Sequence, residues 1–232
     1  MKRRLVLFDI DGTILLSGGA GRRAITAALS EAVGDVGAFS GIRFDGKTDP
    51  QIVAELLSAA GHPPPHAAEH VEALCERYVT LLERELGNGG RGTVLMPGVL
   101  ELLDRLEEEA SVVLGLLTGN LARGARLKLS AAGIDPARFE VGAFGSDSPH
   151  RPDLPAVAAR RAEPLFGRVP AGEEVVIIGD TPADVHCGSG IGARALAVAT
   201  GGYTVRELAE CGPYAVFDDL SETAGVLAAI LA

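Results

Sequence analysis

The chain has 232 residues, 47% of them hydrophobic and 4% aromatic, with no tryptophan; that is enough aliphatic material for one compact core with or without a smaller insertion. Its formal net charge of −10 argues against a nucleic-acid partner, whose affinity comes from Lys and Arg meeting phosphates. No apolar stretch approaches the ~20 residues that a membrane helix needs, and the 30 glycines and 13 prolines follow no period that would mark a fibrous chain.

In chain order, Leu5 to Phe8 reads as a short buried strand, an apolar run of the kind found in parallel sheets covered on both faces. The run ends at Asp9, which is too early for a signal-peptide core. From about Ser17 to Met96 the pattern turns helical. Ile25, Ala28, Leu29 and Ala32 mark one helix; Ile52, Val53, Leu56 and Leu57 mark a second; Val71 to Leu82 mark a third. Gly18-Gly19-Ala20-Gly21 precedes this block and Gly87-Asn88-Gly89-Gly90-Arg91-Gly92 follows it. The expectation is a helical insertion on two glycine-rich connections, either a lid over a site or a subdomain that does not move. His62, His66 and His70 recur every four residues, but Pro63 to Pro65 bar a continuous helix, so surface histidines are expected and not a metal site.

Beyond residue 96, a helix face repeats through Val99, Leu102, Leu103 and Leu106. Apolar runs at 112–117, 175–178 and 195–199 predict further strands, with weaker helical patterns at 121–132 and 156–165. Strands alternating with helices imply a doubly wound, Rossmann-like α/β sheet. The expected division is a core of residues 1–16 and 97–232 and a helical cap domain of residues 17–96. Cys75, Cys187 and Cys211 lie far apart without a C-x-x-C pair, which suits a reducing, cytoplasmic setting.

Polar residues gather where the expected strands end, and in an open parallel sheet ligands bind there. Asp9-Ile10-Asp11-Gly12-Thr13 follows the first strand. Residues i and i+2 of extended chain point the same way, so both carboxylates can face one crevice. Two close carboxylates repel unless a proton or a cation intervenes, and Mg²⁺ favours oxygen ligands. Gly12 lets the backbone turn and approach a ligand. The strand at 175–178 leads into Gly179-Asp180-Thr181-Pro182-Ala183-Asp184, with Thr181 as N-cap and Pro182 in the first helical turn. Asp180 and Asp184 suit either a helix start or a metal site. Leu117-Thr118-Gly119-Asn120 ends another strand and offers hydroxyl and amide donors to a phosphate, or a plain N-cap.

Together these strand ends resemble the haloacid dehalogenase-like superfamily in its phosphatase branch, and the resemblance spans nearly the whole chain. It implies Asp9 as nucleophile and Asp11 as general acid/base. Gly12, Thr118, Gly119 and Asn120 would cradle the transferring phosphoryl group. Asp9, Asp11, Asp180 and Asp184 would serve Mg²⁺, Asp11 through its backbone carbonyl. The family's usual lysine is replaced by Arg151 in Arg151-Pro152-Asp153-Leu154-Pro155, with Arg160 and Arg161 as competitors. Residues 17–96 match the family's helical cap, where Lys47 and Arg22 are candidate substrate contacts and alternatively exposed surface charges. The implied activity is hydrolysis of a small phosphorylated metabolite by a monomer or homodimer. The second acid, Asp11, argues against dehalogenation. A sugar-phosphate mutase of the phosphoglucomutase type would carry the same residues, whereas the complete acidic set argues against a non-catalytic phospholigand-binding protein on this fold.

Overall fold

A computed structural model describes residues 3–34, 39, 41–87 and 92–232. Its main sheet has six parallel strands in the order β5-β4-β1-β6-β7-β8. β1 (Arg4–Phe8) lies at the centre, between β4 (Val112–Thr118) and β6 (Val175–Gly179). β7 (Arg194–Val198) and β8 (Ala215–Phe217) extend one side, and β5 (Val141–Phe144) closes the other. The chain order reverses direction at β1, and this switch point is where a crevice opens at the carboxyl ends of the strands.

Alternation along each strand builds two apolar layers. Leu5 and Leu7 of β1 pack with Val113, Val175 and Ile177 on one face, against Leu154, Ala158 and Ala162 of α6 (Leu154–Phe166). Val6 and Phe8 point to the other face. There α4 (Val99–Glu107) contributes Val99, Leu102 and Leu103, α5 (Ala122–Ala131) contributes Ala125 and Leu129, and α9 (Thr223–Leu231) contributes Val226 and Ile230. A sheet buried on both faces explains why its strands read as continuous apolar runs.

The expected helical insertion is present. α1 (Ala20–Val33), α2 (Asp49–Ala59) and α3 (Ala68–Gly87) lie between β2 (Leu15–Leu16) and β3 (Val94–Leu95). They share an apolar cluster of their own, built on Ile25, Leu29, Val53, Leu56, Tyr78 and Leu82. β2 and β3 pair antiparallel, Leu15 with Leu95 and Leu16 with Val94, so the chain leaves the core and re-enters it at one place. The first glycine-rich connection is shorter than its sequence suggests, because Gly19 already caps α1 and Ala20 opens it. Residues 88–91 of the second connection lie outside the described residues.

The strands expected at 112–117, 175–178 and 195–199 appear within a residue or two as β4, β6 and β7. β5, β8 and the β2–β3 pair add to that reading. α7 (Pro182–Cys187) begins as the motif foretold. Thr181 accepts from the Asp184 N–H and the Asp184 side chain accepts from the Thr181 N–H, while Pro182 occupies the first turn. α8 (Val205–Glu210) completes the set of helices.

Candidate active site

The three motif-bearing strand ends meet over β1. The carboxylate oxygens of Asp9, Asp180 and Asp184 lie within 4.8 Å of one another, and all three residues are buried. Desolvation by burial pushes the Asp9 carboxyl up to about 6, with Arg151 opposing and Asp184 and Asp11 adding to the rise. Burial pushes Asp180 to about 9, reinforced by the charges of Asp184 and Asp9. Three hard oxygen donors that cannot all ionise alone form a group that a divalent cation would relieve, so the residues present fit a Mg²⁺-like ion.

Neighbouring residues fix each acid. Thr13 donates to Asp180 Oδ1 at 3.1 Å, and Gly12, at φ 87, lets the turn after β1 press against the same carboxylate; a Cβ at Gly12 would lie 2.4 Å from Asp180 Oδ2. Asp184 Oδ2 accepts from the Thr181 N–H at 3.0 Å and the Thr181 hydroxyl at 2.6 Å. Its Oδ1 faces the guanidinium of Arg151.

Arg151 is 4% exposed, and its Nη2 also lies 3.1 Å from Asp9 Oδ1. Burial alone would lower its pKa, but Asp184 and Asp9 outweigh that and hold it above the ordinary value. The Nε of Arg151 is buried without a hydrogen-bond partner among the described residues. Of the competing arginines, Arg161 pairs with Asp147 and the Gly142 carbonyl, and Arg160 is exposed; neither joins the acids.

A second polar group lies across the crevice. The Asp11 carboxylate turns away from the three buried acids and accepts from Asn120 Nδ2 at 2.8 Å and from Lys128 Nζ at 2.6 Å. Asn120 also donates to Thr118 Oγ1 at 2.8 Å and accepts from Lys128 at 2.6 Å. The Thr118 side chain stands near Asp9 and opposes the rise of its carboxyl. Lys128 was not among the residues expected here. It sits on α5 beside Leu129, on the helix face that carries Gly124 and Ala125 inward, and a lysine at a core-facing position was the available signal.

The inserted helices press onto this floor. The N–H of Asp49 donates to the Gly119 carbonyl at 2.8 Å, and the Thr48 hydroxyl donates to the Pro149 carbonyl at 2.7 Å. A Cβ at Gly119 would lie 2.0 Å from the Lys47 carbonyl oxygen. Between roof and floor is a cleft of about 340 Å³ lined by Asp9, Asp11, Asn120, Lys128 and Arg151 below and by Arg22, Phe44 and Lys47 above. Both expected cap cations therefore reach the cleft wall. Arg22 stacks 3.8 Å from the Phe44 ring and donates to the Ile42 carbonyl, while Lys47 pairs with Glu55. The three spaced histidines supply no metal group among the described residues; His66 instead contacts the Ser58 hydroxyl.

A parallel sheet with an acid-lined crevice at its switch point, roofed by an insertion between β2 and β3, defines a capped α/β enzyme. The model of the haloacid dehalogenase-like hydrolase family matches residues 6–189, and the chain belongs to that family. A phosphoglycolate phosphatase of Pseudomonas syringae pv. tomato is 28% identical over 219 residues, covering 94% of this chain and 77% of the relative. Among solved structures, a hydrolase from Pseudomonas syringae superposes with a TM-score of 0.72 at 23% identity over 98% of each chain. A mutant of CbbY from Rhodobacter sphaeroides, in complex with xylulose-(1,5)bisphosphate, gives 0.73 at 22% identity, covering 95% of this chain and 96% of that one.

Proposed function

We propose that this enzyme, a phosphatase of the haloacid dehalogenase-like family, hydrolyses a small phosphate monoester in the cytoplasm through an aspartyl-phosphate on Asp9. The observation that carries the reading is the placement of Asp9. It is buried at the end of the central strand, 3.1 Å from a buried guanidinium and within one oxygen cluster with Asp180 and Asp184. No described helix is long and apolar enough to cross a membrane, and the three cysteines are free. The proposed catalytic core is residues 1–16 and 97–232, and the cap is residues 17–96.

Mg²⁺ fits the acid cluster, with Asp9, Asp180 and the Asp11 backbone carbonyl as ligands and Asp184 beside them; when bound it supplies positive charge against nucleophile and phosphate. In the first step an Asp9 oxygen bonds to phosphorus as the ester P–O bond breaks, and protonated Asp11 gives its proton to the departing oxygen. In the second step Asp11, now a carboxylate, takes a proton from water. The water oxygen bonds to phosphorus, the Asp9–phosphorus bond breaks and inorganic phosphate leaves. Thr118, Asn120 and the backbone around Gly12 and Gly119 hold the equatorial oxygens, and the unpaired Nε of Arg151 offers a further donor to them. Arg22 and Lys47 contact the leaving group's substituent in the cleft.

Phosphate release from phosphoglycolate, a hexose monophosphate, a nucleoside monophosphate and p-nitrophenyl phosphate, with Mg²⁺ present, tests the activity. Acid quenching with radiolabelled substrate tests the intermediate. Wild-type protein retains label and Asp9→Asn retains none, with turnover lost and circular dichroism unchanged. Isomerisation of the hexose phosphate without free phosphate would make the enzyme a mutase, and turnover by Asp9→Asn would remove Asp9 as nucleophile.

A further inference from the structure

Lys128 is the feature the reaction above leaves unused. Its side chain is 5% exposed, and a buried ammonium survives only where carboxylates or carbonyl oxygens meet it. Two of its partners are on the floor of the site: Asp11 Oδ2 and Asn120 Oδ1, each at 2.6 Å. The third influence comes from the roof. Asp49, at the start of α2, is buried at 6% exposure, and burial raises its carboxyl to about 6 while the charge of Lys128 is the strongest opposing effect. Asp49 is fixed by the Leu121 N–H at 2.8 Å, and Tyr78 of α3, 1% exposed, lines the same cleft as Asp49 and Lys128. A Cβ at Gly21 of α1 would lie 3.4 Å from Lys128 Nζ and 3.7 Å from Tyr78 Oη, so α1 closes over this ammonium with Tyr78 of α3 beside it.

Asp11 needs such an anchor. Its side chain is 40% exposed, and its hydrogen-bonded side-chain partners among the described residues are Asn120 and Lys128. We propose that Lys128 is the positioning residue for Asp11, and that Asp49 and Tyr78 of the inserted helices hold Lys128 in place, so that the proton donor is aligned when the cap is seated. This rests on the reading of Asp11 as general acid/base.

The chemistry offers a selective readout. An alkoxide leaving group needs a proton from Asp11, whereas p-nitrophenolate leaves without one. kcat/KM reports the phosphorylation step, so the ratio of kcat/KM for an alkyl phosphate to that for p-nitrophenyl phosphate isolates proton donation. Lys128→Met keeps the volume and removes the charge. Its alkyl-phosphate kcat/KM is expected to fall about 10²-fold, the scale of a lost general acid, with the aryl value falling by a smaller factor through the lost contact to Asn120 and Lys128→Arg recovering part of the selective loss. Tyr78→Phe, which removes one hydroxyl from the wall around Lys128, should show the same selective loss at about 5-fold, the scale of one polar contact, and it carries the test if Lys128→Met does not fold. Equal losses on both substrates, or none, in either folded variant overturn the proposal. Wild-type protein that hydrolyses neither substrate overturns the phosphatase reading itself.

Discussion

Arg151 lies against two of the buried acids. Its Nη2 meets both Asp9 and Asp184, and its Nε is buried beside them without a partner among the described residues, a donor that a single compact ammonium would not add. Arg151→Lys is therefore expected to lower kcat while leaving the fold in place, and Arg151→Ala to lower it by about 10²–10³-fold, the scale of a lost oxyanion donor; steady-state kinetics with circular dichroism on both variants checks this. Survival of full activity in Arg151→Ala would remove the residue from the site. Asp9 and Asp180 were legible because each directly follows a buried strand, and Asp184 because it falls one helical turn beyond Asp180. Lys128, Asp49 and Thr13 were not. Lys128 is core-facing by spacing but lies in a weakly patterned stretch among other charges, Asp49 looks like an ordinary first-turn acid, and Thr13 like a turn residue. Their importance comes from which elements fold over them, and that is a long-range fact.

Among the elements, the turn between β4 and α5 does two jobs. It presents Thr118 and Asn120 to the floor and the carbonyl of Gly119 to the roof, where Asp49 meets it. A side chain at residue 119 would collide with the Lys47 backbone. Gly119→Ala is expected to keep the melting temperature within a few degrees and to lower kcat/KM by about 10²-fold through misplacement of the groups that align the substrate. Unchanged kinetics in that variant would show that the roof need not seat so closely. The helices of the insertion were readable from periodicity, and the four longest strands, β1, β4, β6 and β7, from their apolar runs. β5 and β8 escaped because they are four and three residues long, and Gly142 interrupts the apolar run of β5. Short strands at the sheet's edges carry too little pattern to stand apart from loop.

At the scale of the whole molecule, the buried acids tie stability to pH and to cations. The folded values for Asp9 and Asp180, about 6 and about 9, lie above the ordinary 3.8. Folding therefore binds protons at these sites, and their contribution to stability is full below about pH 4. It is lost progressively as pH rises through about 6 and then about 9. In chelator, the melting temperature is expected to fall between pH 6 and pH 9 more steeply than in an Asp180→Asn variant. Added Mg²⁺ should raise it more at pH 9 than at pH 6, because the cation meets carboxylates already free of protons. Differential scanning calorimetry at the two pH values, with and without Mg²⁺, decides it; a cation effect that shrinks with pH would contradict the site.

The overall architecture was legible because a doubly wound sheet announces itself by alternating runs. What the runs did not convey is how the insertion is joined. Leu15–Leu16 and Val94–Leu95 are partners in one antiparallel pair, so the two severed ends of the core stand roughly 5 Å apart. A two-residue turn spans that gap. The fold thus holds its roof as an interchangeable cassette. A differently shaped helical unit spliced at the same two points would present a new ceiling to the same acids, and substrate choice could be rewritten as long as the new unit kept the contacts that Asp49, Tyr78 and Gly21 bring to Lys128.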